Sequence, residues 1–250
     1  MKTTFTTAIT VFLFILTGCK EHADSKPGSD PLSNAFRRDM QPADSPAGDS
    51  RSKTYFINFD KDTTGILPAS WTQAFTGRGN TRWKIADLGN GNHAMWQSYG
   101  KNPGGHFNIV VQDSIRMRNG RLEVRIKALS GRHDRGGGLI WRYAGKNNYY
   151  VVRLNPLEDN VVLYKVEKGR RTDLPLLGKG RTYGMDVPPL GDGWNSLAVE
   201  VKDDVFSVFL NGKMLYEVQD GTFSGSGKTG FWTKADAVSY FDDFSIRIDP

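Results

Sequence analysis

The sequence has a single cysteine, Cys19, among its 250 residues. One thiol excludes an intramolecular disulfide and a cluster of cysteine ligands around a metal ion. The apolar run at 11–16 is too short to span a bilayer permanently. No segment within 54–250 repeats apolar residues at the 3.6-residue spacing of an amphipathic helix. These absences exclude a disulfide-stapled scaffold and favour a fold without helices.

Residues 1–19 have the features of a lipoprotein signal peptide. Lys2 precedes the apolar run, which ends in Leu-Thr-Gly-Cys at 16–19. This box resembles the bacterial lipobox, which implies acylation of Cys19 and membrane attachment through more than one acyl chain. Lys20, rather than Asp, follows the cysteine, and this resembles outer-membrane sorting. We therefore expect a lipoprotein of the bacterial cell envelope, at the outer membrane. An ordinary signal peptide with an unmodified thiol is the alternative.

Residues 20–53 are rich in Pro, Ser, Asp and Gly and carry six basic and six acidic residues, which predicts a flexible tether. The whole chain has 33 basic and 27 acidic residues, of which seven and six fall in 1–53. Residues 54–250 therefore hold 26 basic and 21 acidic residues. A segment of this length is enough to enclose one hydrophobic core. The basic residues are scattered except at Gly-Arg-Arg 169–171. We expect no nucleic-acid partner, while a patch for acidic glycans stays open.

Short runs of β formers separated by Gly, Asn, Asp or Pro fill 54–250. In 121–129 the apolar residues Leu122, Val124 and Ile126 alternate with charged ones, as expected of a half-buried strand. The run 205–219 contains Asn211-Gly212, the signature of a type I′ hairpin turn. The sequence therefore predicts an all-β fold, a two-sheet antiparallel jelly-roll sandwich.

The stretch 136–156 predicts a central hairpin, with strands at 138–143 and 148–154. Leu139, Trp141 and Tyr143 should share one face, with Arg142 on the other. Neither strand has a wholly polar face, which indicates a hairpin covered on both sides.

Aromatic rings and arginines together are typical of a sugar-binding groove, because rings stack on the C–H faces of sugars while guanidinium groups bind hydroxyls. The candidate ligand-binding residues are Arg142, Trp96, Tyr149, Tyr150 and Arg153. The alternative is that the rings belong to the core and the arginines cap a sheet edge.

Four stretches carry a family resemblance: GGLIWRYAGKNNYYVVRL, WNSLAVEV, FSVFLNGKMLYEV and GKTGFWTKADAVSYFDDFSI. Together they resemble the concanavalin A-like lectin/glucanase superfamily, near its laminin-G-like and bacterial 3-keto-disaccharide hydrolase-like domains. The resemblance covers roughly 54–250. It implies a concanavalin A-like jelly roll that handles a glycan or oligosaccharide, either by binding it or as a glycoside hydrolase or lyase.

Catalytic residues are harder to assign. Family 16 glycoside hydrolases share this sandwich and carry a Glu-x-Asp-x-Glu strand, which this chain lacks. His133 beside Asp134 in a Gly-rich loop is a candidate acid/base pair, with Glu123 as a further carboxylate. A solvated loop is the alternative for His133. The sequence therefore leaves enzymatic activity open.

The resemblance also implies a structural calcium ion between an early-strand acid and the last strand. Asp60, with Asp242 or Asp243, occupies the matching positions, while carboxylates that close a strand are the alternative. The GSGKTG stretch at 225–230 lacks the spacing of a nucleotide-binding loop and precedes a predicted strand, so no nucleotide is expected.

These observations predict a lipid-anchored envelope protein whose jelly roll binds carbohydrate in an aromatic and arginine-lined groove. A glycoside hydrolase or lyase, including a 3-keto-glycoside hydrolase-like enzyme, is the first alternative. A structural envelope module is the second.

Overall fold

The structure, a computed structural model, describes residues 52–250. The predicted signal peptide with Cys19, and the predicted tether up to residue 51, lie outside the described residues. Lys53, which the sequence assigned to the tether, is the first residue of a strand. No helix among the described residues is long and apolar enough to cross a membrane.

The described residues form sixteen strands in two antiparallel sheets of eight. The strands of sheet 1 are β1 (Lys53–Ile57), β3 (Trp83–Asp87), β4 (His93–Gln97), β6 (Gly120–Ser130), β12 (Trp194–Lys202), β13 (Val205–Leu210), β14 (Lys213–Gln219) and β16 (Val238–Ile248). Their order is β14-β13-β12-β6-β16-β4-β3, and β1 also pairs with β16.

The strands of sheet 2 are β2 (Trp71–Thr76), β5 (Phe107–Met117), β7 (Gly137–Gly145), β8 (Asn148–Asn155), β9 (Asn160–Glu167), β10 (Arg170–Asp173), β11 (Met185–Asp186) and β15 (Gly227–Lys234). Their order is β10-β9-β8-β7-β15-β5-β2, with β11 beside β9. The all-β, two-sheet antiparallel sandwich of jelly-roll type is therefore confirmed.

Alternating apolar residues on the inner faces of both sheets form the core between them. Phe231 on β15 and Phe241 on β16 stack across the two sheets, with ring centroids 4.8 Å apart and an interplanar angle of 11°. Phe244 meets the Phe231 ring edge-on at 4.8 Å. These aromatic contacts pack the two sheets against each other.

Both predicted hairpins form. Strands β13 and β14 turn at Asn211 and Gly212, whose φ angles of 50° and 78° are those a type I′ turn requires. Strands β7 and β8 pair as the central hairpin. The sequence patterns did not indicate β2, β10 and β11, which are short or carry many polar residues.

The central hairpin is covered on both faces, as predicted. Tyr150, Val152 and Leu154 of β8 belong to the core between the sheets. Tyr149 and Val151 belong to a second apolar cluster on the outer face of sheet 2. Sheet 2 therefore buries apolar side chains on both sides, which an ordinary solvent-facing antiparallel sheet does not.

Candidate functional site

The candidate site is the outer face of sheet 2, which carries a cluster of buried apolar side chains. Five adjacent strands of the sheet contribute to it: β9, β8, β7, β15 and β5. Each of them has apolar side chains at outward as well as inward positions. The cluster consists of Phe107, Ile109, Val111, Ile140, Tyr149, Val151, Val162, Tyr164, Val166 and Trp232.

Arg171 of β10 lies over three of these rings. Its guanidinium carbon is 4.3 Å from the ring centroid of Tyr164, 5.5 Å from that of Phe107 and 5.7 Å from that of Trp232. A guanidinium at these distances is attracted by the π faces and also shields them from water. Arg171 belongs to the Gly-Arg-Arg segment at 169–171, the one dense basic spot in the sequence.

Several buried polar atoms on this face have no hydrogen-bond partner within 52–250. Among them are Nη1 of Arg171, Oδ2 of Asp173, Nε of Arg153 and Nδ2 of Asn155. Asp173 pairs with Tyr164 across the strands, so it shares the face with Arg171. Buried donors and acceptors normally find a partner in the protein, in water or in a ligand. The face therefore has hydrogen-bonding capacity that these protein groups do not use.

A charged network borders the apolar cluster around Arg153. One guanidinium nitrogen, Nη1, lies 3.1 Å from Oδ2 of Asp134, while Nη2 lies 2.9 Å from Oε2 of Glu158 and 3.2 Å from Oδ1 of Asn160. Lys234 Nζ donates to the same Asp134 oxygen at 3.0 Å. Arg153 and Asp134 are each 1% exposed, whereas the Glu158 side chain is 43% exposed. The network thus runs from a buried ion pair to a carboxylate that solvent and solutes reach.

The protonation states in this network follow from its charges. Burial alone would raise the pKa of the Glu158 carboxyl, but the Arg153 guanidinium and the hydrogen bond from Asn160 outweigh it and leave this pKa below its usual value. Burial raises the pKa of the Tyr164 hydroxyl. Glu158 is therefore ionised and Tyr164 neutral at physiological pH.

The far side of the face has an exposed tyrosine and a second ion pair. Tyr164 donates a hydrogen bond to the Tyr183 hydroxyl at 3.1 Å, and Tyr183 is 44% exposed. Arg181 Nη1 lies 2.7 Å from Oδ1 of Asp173. Together with Arg171, these side chains form the polar and aromatic rim of the face.

Arg142 is not part of this face, which contradicts its predicted position in a groove. Its φ of 49° lies at a β-bulge, where the pairing of β7 with β8 shifts between Trp141 and Gly145. The bulge breaks the side-chain alternation, so Tyr143 packs against the outer cluster instead of the core. The Arg142 side chain is buried and donates to the carbonyls of Arg118, Asp203 and Phe223.

The two predicted tyrosines face opposite sides of sheet 2. Tyr149 lies in the outer cluster and Tyr150 in the core, and both are 0% exposed. The Tyr150 hydroxyl donates to Oδ1 of Asp220 at 2.6 Å and accepts from the Phe223 N–H at 3.1 Å. This burial contradicts direct ligand contact by either tyrosine in the described structure. Tyr150 instead anchors the loop around 220–223.

Arg153 and Asp134 are the predicted site residues that the structure brings together. Asp134 was expected to act with His133, but the neighbouring His133 side chain is exposed. The backbone N–H groups of His133 and Asp134 donate to the Asp236 carboxylate at 3.0 and 3.1 Å. The loop is therefore fixed through its backbone, and Asp134 is paired with Arg153 instead of an imidazole.

Trp96 and Glu123 lie on sheet 1, on the opposite side of the sandwich. Glu123 accepts from Ser196 Oγ at 2.6 Å and from Arg121 Nη2 at 3.1 Å. Trp96 is half-buried on the outer face of that sheet, beside Tyr240. Trp96 therefore cannot share a binding site with Tyr149 and Arg153 on the outer face of sheet 2. Glu123 cannot share a catalytic site with Asp134, which pairs with Arg153.

The predicted calcium ligands have protein partners. Asp60 accepts from Asn58 Nδ2 at 2.8 Å and from the His93 N–H at 3.0 Å. Asp243 is 0% exposed and forms an ion pair of 3.2 Å with Arg125, and Asp242 accepts from the Asp243 N–H at 2.7 Å. Within 52–250 no three His, Cys, Asp or Glu side chains come close enough together to hold a metal ion.

Comparison with known proteins identifies the fold. No protein-family model matches the chain, and no curated protein sequence matches it. Among solved structures, carbohydrate-binding module CBM66 from Bacillus subtilis is 20% identical with a TM-score of 0.53, over 71% of this chain and 95% of that chain.

Two hydrolase structures match this chain with similar TM-scores. A GH16 protein of a Bacteroides ovatus mixed linkage glucan locus, solved with a G4G4G3G product, is 6% identical with a TM-score of 0.52, over 78% of this chain and 99% of that chain. A native glycosidic hydrolase is 12% identical with a TM-score of 0.50, over 78% and 94%. At these identities the likeness shows a shared jelly-roll sandwich.

Sequence reasoning missed the residues at the centre of the face: Phe107, Tyr164, Arg171 and Trp232. A signal for them exists, because 107–111 and 161–166 are apolar at nearly every position, which indicates strands buried on both faces. The Gly-Arg-Arg segment was noticed only as a charge cluster. Nothing in the linear sequence indicated that Arg171 would lie against rings from three other strands.

Proposed function

We propose that the outer face of sheet 2 binds carbohydrate and that the protein is a non-catalytic glycan-binding module. The observation that carries this proposal is the position of Arg171 over the rings of Tyr164, Phe107 and Trp232, beside buried polar atoms without protein partners. A sugar ring presents C–H groups to aromatic faces and hydroxyls to charged and amide groups, so it fits both halves of this arrangement.

In this proposal the glycan approaches from the rim. Tyr183, Glu158 and Arg181 are exposed there, and Arg171 and Lys234 are half-buried behind them. Hydroxyl groups would bind the Arg171 guanidinium and the Asp173 carboxylate, both of which have an unused hydrogen-bonding atom. Because the guanidinium covers the rings, its movement onto a sugar hydroxyl would open the aromatic surface for stacking.

Binding is favoured over hydrolysis by the state of the carboxylates on this face. Asp134 pairs with Arg153 and Lys234, Glu158 with Arg153, and Asp173 with Arg181. Glycoside hydrolysis needs one carboxylic acid that stays protonated to donate to the leaving oxygen. The cationic partner that lowers the pKa of Glu158 acts against this role.

We further propose that the domain is tethered in the bacterial cell envelope by lipid at Cys19, at the outer membrane. The support is the lipobox at 16–19 and the polar segment that follows it. Metabolic labelling with a palmitate analogue tests this: the wild-type chain should incorporate label and Cys19→Ser should not. Label in the Cys19→Ser variant would contradict the assignment.

One experiment separates binding from catalysis. The protein is applied to an array of neutral and acidic oligosaccharides, and each glycan that it retains is then incubated with the protein in a reducing-sugar release assay. Retention without release supports the binding module. Release from a retained glycan would favour the glycoside hydrolase or lyase alternative, and retention of no glycan would favour the structural envelope module.

A further inference from the structure

A row of five side chains crosses the outer face of sheet 1, on the side of the sandwich away from the proposed glycan site. Cross-strand pairs place Trp194 opposite Lys127, Lys127 opposite Tyr240, Tyr240 opposite Trp96, and Trp96 opposite Lys84. Residues paired directly across antiparallel strands share a face and lie close together. The row thus spans β12, β6, β16, β4 and β3 and contains three aromatic rings and two lysines.

The row is partly accessible to solvent, and three of its members contact one another. All five side chains are half-buried. The Trp96 and Tyr240 rings meet edge-on with centroids 5.8 Å apart, and Lys84 Nζ lies 4.6 Å from the centre of the Trp96 ring. Arg125 precedes Lys127 by two residues on β6, and its guanidinium carbon lies 4.9 Å from the centre of the Trp194 ring. Trp96 and Trp194 are therefore each held by a neighbouring cation, and Trp96 also packs against Tyr240.

The exposed charge of the row has one sign. Within 52–250 neither Lys84 nor Lys127 forms an ion pair. The carboxylates nearest along β16, Asp242 and Asp243, are at most 1% exposed. A solute that approaches the row therefore meets two ammonium groups and three rings. Such a surface fits a ligand that carries anionic groups at intervals on a backbone able to stack on rings.

We propose that this row is a binding track for an acidic polysaccharide, one that bears carboxylate or sulfate groups. Five adjacent strands span about 19 Å at ~4.8 Å per spacing, which is long enough for several sugar units to lie across the sheet. The proposal does not depend on the site on sheet 2, because the two faces share no residues.

A flat, half-buried row fits a polymer better than a membrane. Proteins that insert into the bilayer surface use apolar side chains that project into the headgroup region. The three rings of the row are instead packed among their neighbours, and none belongs to the large apolar side chains that are most exposed in the described part of the chain. A polysaccharide needs only the ring faces and the ammonium groups.

The test uses the full chain with Cys19→Ser throughout, so that acylation does not differ between variants. Affinity electrophoresis measures retention by polygalacturonate and by dextran sulfate, with methyl-esterified polygalacturonate and unmodified dextran as neutral counterparts. The two anionic probes distinguish carboxylate from sulfate recognition. Lys84→Gln with Lys127→Gln removes both cations of the row, and Trp96→Ala removes the ring between Tyr240 and Lys84. Lys101→Gln with Lys146→Gln makes the same charge change at exposed positions elsewhere.

We expect at least one anionic polymer to be retained more strongly than its neutral counterpart. The Lys84/Lys127 variant should bind about tenfold more weakly, the change expected for two exposed charge pairs, while the Lys101/Lys146 control changes less than about twofold. Trp96→Ala should weaken retention at high salt as well, because stacking is not screened. An unchanged circular dichroism spectrum verifies that each variant is folded.

Three results would overturn the proposal. Equal weakening by the control pair would show that only net charge matters. Equal retention of charged and neutral polymers would show that the ammonium groups are not used. Binding to vesicles of anionic phospholipid that depends on the row, without retention of either polymer, would assign the row to a membrane surface instead.

Discussion

Arg153 and Asp134 form an ion pair in which Nη1 and Oδ2 are 3.1 Å apart and both side chains are 1% exposed. Breaking a buried ion pair by removing one partner leaves an uncompensated charge, which typically destabilises a protein by ~3–5 kcal/mol. Lys234 still pairs with Asp134 when Arg153 is removed, so we predict that Arg153→Met lowers the free energy of unfolding by about 3 kcal/mol, the low end of this range, in urea denaturation.

The double variant Arg153→Met with Asp134→Asn distinguishes pairing from simple loss of volume. It should be less destabilised than the sum of the two single variants, because neither charge remains buried alone. Glu158→Gln is the control, since the Glu158 side chain is 43% exposed and should change stability by less than ~1 kcal/mol. Additive effects of the two single substitutions would contradict the account of the pair.

Arg142→Ala should destabilise the protein and leave glycan affinity unchanged. The substitution removes the donors to the carbonyls of Arg118, Asp203 and Phe223, and an unsatisfied buried group costs ~1–3 kcal/mol. Thermal melting measures the loss, and Arg116→Ala, at an exposed position before the same loop, is the control. A folded Arg142→Ala protein of wild-type stability and weakened glycan binding would restore the groove assignment.

The free energy of unfolding should decrease as the pH is lowered through the range where Asp220 titrates. Burial alone would raise the pKa of the Asp220 carboxyl, but hydrogen bonds from Thr222, Tyr150 and Lys165 outweigh it and lower the pKa. A carboxyl with a lowered pKa in the folded state stabilises the protein above its unfolded pKa of ~3.9, and the contribution is lost as pH falls through the folded value.

Urea midpoints measured between pH 7 and pH 2 test this dependence. Asp220→Asn should be less stable than the wild type at pH 7 and should lose less of its stability on acidification. Parallel curves for the two proteins would show that the Asp220 contacts with Tyr150 and Lys165 do not contribute to acid sensitivity.

Chelation should not change the melting temperature. Asp243 is paired with Arg125 at 3.2 Å, and Asp60 accepts hydrogen bonds from Asn58 Nδ2 and from the His93 N–H, so these carboxylates already have protein partners. We expect melting temperatures with EDTA and with added calcium to agree within about 1 °C, since a ligand that binds only the folded state would raise the value. A lower value in EDTA would return Asp60 and Asp242 to consideration as calcium ligands.

The sequence was sufficient to predict the strands in which apolar and polar residues alternate and the hairpins that carry a turn signal. Leu122, Val124 and Ile126 face the core as their period-two spacing predicted, and Asn211-Gly212 forms the predicted turn. These features depend on neighbouring residues alone. Strand β10 was missed because Arg170–Asp173 has only four residues and all of them are polar. It is a strand only because it pairs with β9.

The site was harder to predict because it depends on contacts distant in sequence and on one irregularity. Side-chain alternation along β8 is regular, so it puts Tyr149 and Arg153 on one face. The alternation predicted along β7 fails at Arg142, where the bulge changes the direction of the side chain relative to its neighbours. Local pattern gives no indication of a bulge at an arginine. The approach of Arg171 to Phe107 and Trp232 requires the strand order of the whole sheet, which a single sequence does not reveal.

The most direct test of glycan binding at the outer face of sheet 2 compares two adjacent arginines. Arg171→Ala and Arg170→Ala make the same charge change on β10, but only Arg171 lies over the Tyr164 ring, while Arg170 is exposed. Calorimetric titration with a glycan retained on the array should show about a tenfold or larger loss of affinity for Arg171→Ala and less than about a twofold change for Arg170→Ala. Equal affinities for the wild type and the Arg171→Ala protein would contradict the assignment of this face as the binding site.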